Sequence, residues 1–242
     1  MFPLKDDIPT RRRAYVTGAL IAANVAMYLL QVSVGLERSV YLLGLVPKEL
    51  VTGQELSPWA FLPPWSNIFT SMFSHGGLLH LGGNMLFLWI FGNNVEDDMG
   101  HLRFLAFYVL CGLAAAGVQL VTDPGSEIPM VGASGAVAGV LGGYLLLYPH
   151  ARVLALVPIF FFLRLMWIPA VVFLGLWFLL QLLGVFGPDS GIAFWAHIGG
   201  FVTGLILVRP FAGRVWRTDE EGGWRRMGGG GTHRFDERMW RR

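Results

Sequence analysis

The chain has little charge for its length. Of its 242 residues, only 14% are charged and 54% are hydrophobic, and the mean hydropathy is +0.55. Soluble domains carry about 25% charged residues. The composition therefore excludes an ordinary soluble domain and predicts a multi-pass integral membrane protein, with the lipid bilayer as its first partner and no nucleic acid among its partners.

Cysteine, metal-binding motifs and buried acids are also scarce. The single cysteine, Cys111, lies in an apolar run, so a disulfide framework is excluded. The chain has no His-Glu-x-x-His motif, which an intramembrane metalloprotease would need. No apolar segment carries an aspartate, and an intramembrane aspartyl protease would need two. No cofactor or metal site is expected.

Six apolar segments are present, and about 20 residues suffice to cross about 30 Å of hydrocarbon. The predicted spans are 14–34, 76–92, 104–121, 134–148, 168–186 and 193–208. The sequence thus predicts an all-α membrane protein, a compact six-transmembrane-helix bundle in a single membrane domain, 14–210. A polar N-terminal segment, 1–13, precedes it and a basic, flexible tail, 211–242, follows it.

Two connections are long. Residues 35–74 contain several prolines and tryptophans, so we expect a loop that lies along the membrane interface instead of a continuous helix. Residues 149–167 are apolar but interrupted by prolines and arginines, and we expect an apolar interfacial loop there. No cleavable signal peptide is expected, because the first apolar run is too long for one.

The charge distribution predicts the orientation in the membrane. With six spans, 16 of the 18 lysines and arginines fall on the side of the two termini, and only Arg38 and Lys48 fall on the other. Positive residues mark the cytoplasmic side, so the N and C termini are both expected to be cytoplasmic. Spans two, four and six then all begin at the outer face.

Polar side chains lie near the outer starts of these three spans. His80 and Asn84 belong to span two, Ser134 to span four and His197 to span six. They are expected roughly 5–12 Å below the outer surface, given the rise of an α-helix; the short span four would begin below that surface. Polar groups at this depth are costly and mark functional sites by default.

These residues fit the chemistry of amide hydrolysis. Serine and histidine supply a nucleophile and its general base. Because no span contains an acid, we expect a dyad of Ser134 and His197 without a third carboxylate. His80 and Asn84 share a helix face at i, i+4 and could donate, with the Ser134 N–H, to an oxyanion. His75 is interpreted as a structural or wall-lining residue.

Small residues explain how spans four and six could meet. One face of span four carries Gly135, Ala138, Gly139 and Gly142. One face of span six carries His197, Gly200 and Gly204. Small residues at such spacings let membrane helices approach closely, and close contact would bring the Ser134 hydroxyl within reach of the His197 ring.

In these motifs the chain resembles the rhomboid intramembrane serine proteases. The matching pieces are Gly132-Ala133-Ser134-Gly135, Ala196-His197 with Gly200 and Gly204, and His80 with Asn84 in the run 73–84. The resemblance extends from residue 2 to about residue 210. It implies six helices, a Ser134–His197 dyad, an oxyanion site at His80 and Asn84, and no cofactor. It also implies cleavage of single-pass transmembrane substrates near the outer membrane face, with small residues favoured at the cut and helix-breaking residues beyond it.

The sequence departs from the family pattern at two places. Many members carry Trp-Arg in the first long loop, where this chain has Trp65-Ser66. Some carry a tyrosine four residues after the serine, stacked on the histidine, where this chain has Ala138. We therefore expect another aromatic residue, such as Tyr144 or Phe194, to support His197.

Two other classes of protein are alternatives. A rhomboid-like protein that binds membrane clients without cutting them would typically lack the serine or the histidine, and both are present. A transporter would be expected to show a sequence repeat with paired, interrupted helices, and none is evident. A bacterial plasma membrane suits the minimal six-span form.

Overall fold

The computed structural model describes residues 1–54, 56, 59, 62–159, 162–187 and 191–212, and the backbone of 215–218 and 224–227. This part of the chain is mostly helical. Its helices are α1 Tyr15–Val34, α2 Leu36–Leu43, α3 Pro47–Thr52, α4 Asn67–Thr70, α5 Leu78–Phe87, α6 Asn93–Met99, α7 His101–Thr122, α8 Ser134–Leu147, α9 Ala170–Val185 and α10 Phe194–Phe211. Its strands are β1 Phe2–Asp6, β2 Arg152–Ile159, β3 Phe162–Pro169, β4 Val215–Thr218 and β5 Trp224–Met227.

Within the described residues, three helices are long and apolar enough to cross a membrane, namely α1, α7 and α10. The apolar helices α8 and α9 are shorter. A π-helical turn, Leu88–Gly92, joins α5 to α6, so the helical stretch that begins in predicted span two continues to Met99. Most of the predicted tail, 211–242, lies outside the described residues. In the described part of the tail, β4 and β5 pair as an antiparallel two-stranded sheet.

Helix α8 lies at the centre of the bundle. Eleven of its 14 residues are buried, and its length is about 21 Å at 1.5 Å per residue. It begins at Ser134, as the sequence predicted for a helix too short to reach the outer surface. The central position of α8 surrounds its first residue with protein on several sides.

Glycines set the distance between α8 and α10. A Cβ atom added at Gly200 would lie 2.9 Å from the carbonyl carbon of Gly135, and one added at Gly204 would lie 2.8 Å from the Cα of Gly139. No side chain fits between backbones this close, so only glycine permits the contact. The small-residue contact expected from the sequence is confirmed, and it fixes the spacing between the residues that precede it on each helix.

Two paired strands, β2 and β3, occupy most of the described part of residues 149–167, so the loop expected there is wrong. Strands β2 and β3 pair antiparallel with Arg152 opposite Pro169, and β1 adds to β2 with Asp6 opposite Val153. The prediction of an all-α protein is therefore also wrong in detail. The physical reason is that Pro158 prevents a helix, while the backbone polar groups of an apolar segment still need partners, which a paired strand supplies.

Polar side chains hold the N-terminal strand against the helices. The Tyr144 hydroxyl donates to Asp6 Oδ2 over 2.6 Å, and the side-chain amide of Asn94 donates to the same oxygen. The Tyr148 hydroxyl donates to the Asn94 carbonyl over 3.0 Å. Burial raises the pKa of the Asp6 carboxyl from 3.8 to about 7, with a smaller contribution from the neighbouring Asp7.

Asp6 is expected to make stability depend on pH. The unfolded chain releases the Asp6 proton near pH 3.8, whereas the folded protein keeps it until about pH 7. Protonation of Asp6 therefore stabilises the folded state fully below pH 3.8, and this stabilisation is lost as the pH rises through about 7. Thermal unfolding in detergent should show a midpoint that falls less between pH 5 and pH 8 in Asp6→Asn than in the wild type. Asp123→Asn, at an exposed acid, is the control, and equal slopes in wild type and Asp6→Asn would contradict the assignment.

Candidate active site

Ser134 and His197 are hydrogen-bonded to each other. Ser134 is the first residue of α8 and His197 is in the first turn of α10. Their helices pack through Gly135 and Gly200, and the Ser134 Oγ lies 2.8 Å from the His197 Nε2. Both side chains are partly buried. The structure thus brings together the predicted nucleophile and the predicted base at hydrogen-bond distance, which is the geometry that proton transfer requires.

The other nitrogen of His197 contacts a residue that the sequence analysis missed. The Oε1 of Gln181, on α9, lies 2.8 Å from His197 Nδ1. The Gln181 side chain is buried, with 9% of its surface exposed. Apart from the indole of Trp177 it is the only polar side chain of α9, and a polar residue inside an apolar membrane helix is a functional candidate by default. Gln181 could therefore have been recognised from the sequence as a polar residue inside an apolar segment.

Aromatic rings also contact His197. The Trp177 ring lies 6.1 Å from the His197 ring, centroid to centroid, at 34°, and Phe194 lies edge-on at 6.4 Å and 87°. Phe194 is therefore one support of the histidine, as expected. The alternative, Tyr144, is wrong, because it lies ten residues along α8 from Ser134, about 15 Å away, and bonds Asp6 instead.

His80 and Asn84 converge beside the segment that precedes Ser134. A Cβ atom added at Gly132 would lie 2.7 Å from His80 Nε2 and 3.5 Å from Asn84 Nδ2. Gly132 has φ +125°, a conformation that other residues rarely adopt. Glycine at this position thus satisfies both the backbone conformation and the lack of space. The two side chains lie on one face of α5, as predicted from their i, i+4 spacing.

Asn84 carries an unused hydrogen-bond donor. Its side chain is 8% exposed, and its Nδ2 has no hydrogen-bond partner within the described part of the chain. A buried amide without a partner is costly. Such a donor beside Gly132, two residues before Ser134, suits a ligand that carries negative charge, since it is already desolvated and positioned.

His75 packs behind His80 rather than facing the serine. The two rings meet edge-on with centroids 5.1 Å apart. His75 is fully buried, and its backbone N–H donates to Gln31 Oε1 over 2.8 Å. This placement fits the structural role that the sequence analysis gave His75.

The last part of the long connection 35–74 is anchored to the end of α2, which belongs to its first part. Asn67 Nδ2 donates to the Gly44 carbonyl over 3.0 Å, and the Thr70 hydroxyl donates to the Leu43 carbonyl over 2.7 Å. Leu45 and Met130 exchange backbone hydrogen bonds of 2.9 and 2.8 Å. The connection therefore holds the segment that leads into Ser134, without the arginine that the resemblance would place after Trp65.

A cavity of about 690 Å³ joins these residues. Ser134, His197, His80 and Asn84 all line it, and most of the remaining lining is apolar. Phe87 of α5 and Trp177 of α9 lie on its walls. The arrangement places a nucleophile, a base and polar donors around one space of the size that ligand sites usually have.

Comparison with known proteins identifies the family. A model of the Rhomboid domain matches residues 63–214, which is more than half of the chain. The chain therefore belongs to the rhomboid family, and its apolar helices embed this domain in a membrane.

Relatives come from plants, animals and bacteria. The chain is 41% identical over 78 residues to RHOMBOID-like protein 5 of Arabidopsis thaliana, covering 32% of this chain and 25% of that protein. It is 28% identical over 211 residues to the presenilin-associated rhomboid-like protein, mitochondrial, of Homo sapiens, covering 85% and 50%. It is 38% identical over 81 residues to Rhomboid protease GluP of Bacillus subtilis, covering 34% and 15%. The chain thus aligns with half or less of the length of each relative, and a bacterial plasma membrane stays a prediction.

Proposed function

We propose that this chain is an intramembrane serine endopeptidase that cleaves single-pass transmembrane proteins near the outer membrane face. The observation that carries the proposal is the 2.8 Å contact between Ser134 Oγ and His197 Nε2. A hydroxyl bonded to a histidine inside a cavity between apolar helices has the arrangement of an activated nucleophile. That both residues are present and in contact favours a protease over a binder of membrane clients that cuts nothing.

The reaction follows from the positions of these atoms. His197 Nε2 accepts the Ser134 proton as Oγ attacks the carbonyl carbon of the substrate, forming a tetrahedral oxyanion. The imidazolium then gives that proton to the leaving amine nitrogen as the peptide bond breaks, which leaves an acyl ester on Ser134. Water attacks the ester carbon while His197 Nε2 takes a proton from it, and the imidazolium then returns that proton to Ser134 Oγ as the ester C–O bond breaks and the acid product leaves.

The oxyanion would be stabilised by donors already in place. The Asn84 amide, the His80 ring and the Ser134 backbone N–H at the start of α8 are the candidates. The unpartnered Asn84 Nδ2 supports this role most directly, because it loses no existing hydrogen bond when the negative charge forms. Removing one such donor typically costs about 100-fold to 1,000-fold in kcat.

The proposal includes an arrangement in the membrane. We assign the six spans to α1, the α5–α6 stretch, α7, α8, α9 and α10, within a membrane domain of residues 14–210. The excess of positive residues near the termini puts both ends in the cytoplasm, with residues 1–13 and the tail 211–242 outside the domain. Ser134 then lies towards the outer face, and substrates enter from the surrounding bilayer.

Labelling with a fluorophosphonate tests the proposal directly, because this reagent reacts with activated serines. The purified protein in detergent should be labelled at Ser134 and should cut a reporter transmembrane substrate after reconstitution. Ser134→Ala should lose both, whereas Ser126→Ala, a serine on the loop before α8, should keep both. If the wild type is neither labelled nor active while it still binds the reporter, the chain is a non-catalytic binder and the proposal is wrong.

A further inference from the structure

The site contains a side chain that neither the sequence analysis nor the family assignment accounts for. Gln181 of α9 is hydrogen-bonded to His197 Nδ1, the ring nitrogen that does not contact the serine. We infer that Gln181 is a positioning residue for His197, occupying the place that a carboxylate takes in a catalytic triad. This inference rests on the proposed function and deepens it.

The hydrogen bonds of Gln181 define its orientation. Its Nε2 donates to the Trp177 carbonyl over 3.1 Å, and that carbonyl can only accept. The amide oxygen must therefore face His197. Because an amide oxygen also only accepts, the histidine proton belongs on Nδ1, and Nε2 is left with a lone pair towards Ser134. Gln181 thus selects the tautomer in which His197 can act as a base.

A neutral amide suits this position better than an acid would. An ionised carboxylate inside an apolar bundle carries a large desolvation cost. A glutamine oxygen still accepts a hydrogen bond from Nδ1 when His197 becomes positively charged during the reaction. The side chain therefore orients the ring and favours its protonated state modestly, without burying a charge in the resting protein.

The position of Gln181 also ties His197 to α9. The other buried residues of α9, Ala170, Phe173 and Leu174, belong to its first turns, and Gln181 is the buried residue of its second half. Near that end, Gly184 packs directly against the Phe194 ring. The correct tautomer of His197 thus depends on α9 keeping this end against α10.

Two variants test the inference by kinetics. Gln181→Leu keeps the bulk but removes the hydrogen bond, and we expect kcat for a reporter substrate to fall about 10-fold to 100-fold with KM changed less than about twofold. Gln181→Glu keeps the shape and an acceptor oxygen, so it should retain more of kcat. Its charge favours the protonated imidazole, so the acid limb of its kcat/KM profile should move to higher pH. A purely structural role would move neither the pH limb nor kcat selectively.

Leu180→Ala, at a neighbouring side chain that is 60% exposed, is the matched control and should behave as the wild type. Fluorophosphonate labelling separates two kinds of failure. If the wild type is neither labelled nor active, the proposed function fails. If the wild type is labelled and active, the positioning role falls when Gln181→Leu has the wild-type kcat or when Gln181→Glu has the wild-type acid limb. Gln181→Glu, which matches glutamine in shape, keeps the test decisive if the leucine variant does not fold.

Discussion

Ser134→Ala is expected to reduce cleavage of a transmembrane reporter by about 10⁴-fold or more, since the variant lacks the attacking atom. His197→Ala should cost about as much, because an unassisted serine hydroxyl is a poor nucleophile at neutral pH. The double variant should be no slower than either single one, because the two side chains act as one unit through the 2.8 Å hydrogen bond. Single-turnover rates in reconstituted vesicles measure all three.

Matched controls exist for both residues. His150→Ala replaces an exposed histidine beyond the far end of α8, and Ser126→Ala replaces a loop serine; both should cut at the wild-type rate. If the losses of the two single variants multiply in the double variant, the residues act independently, and a shared role in one proton transfer is wrong.

Gly204→Val is expected to disrupt both the fold and the site. Its first side-chain atom would lie 2.8 Å from the Gly139 Cα and nearer still to the Gly139 carbonyl. Overpacking usually costs about 1–3 kcal/mol, and the upper end or more is expected here because backbone on the opposite helix cannot turn aside as a side chain can. Since the same contact spaces His197 from Ser134, cleavage should fall with stability. Thermal unfolding in detergent and the cleavage rate together measure the effect.

Gly175→Val on α9 is the control for this prediction. An added Cβ there meets nothing within 4 Å, so the substitution should change stability by no more than about 0.5 kcal/mol. If Gly204→Val and Gly175→Val unfold at the same temperature, the close approach of α8 and α10 does not limit stability.

The candidate site could be predicted from sequence because polar groups in apolar helices are conspicuous. His80, Asn84, Ser134 and His197 each interrupt an apolar run, and the spacing of glycines indicated which faces meet. Gln181 also interrupts one, yet its partner could not be read, because pairing across helices depends on their relative rotation. Tyr144 was misassigned for a different reason: it lies ten residues after Ser134 on the same helix, about 15 Å away, so its distance from His197 could have been inferred from the sequence.

The antiparallel pair of β2 and β3 could not be predicted from the pattern of polar and apolar residues. A half-buried strand shows alternating polar and apolar residues, but β2 and β3 are apolar at almost every position. Along β3 nearly every side chain is exposed, on both faces of the strand. An apolar run of this kind is equally consistent with a loop or a helix segment; Pro158 excludes the helix, and the need to pair the backbone groups then favours a sheet.

The N-terminal strand constrains the order in which the chain assembles during synthesis. Asp6 receives its hydrogen bond from Tyr144 across 138 positions of sequence, and β1 pairs with β2, which is made later still. Contacts so distant in sequence close late. A nascent chain that ends before β2 must therefore keep residues 2–6 unpaired, and the sheet closes only after α8 has left the ribosome.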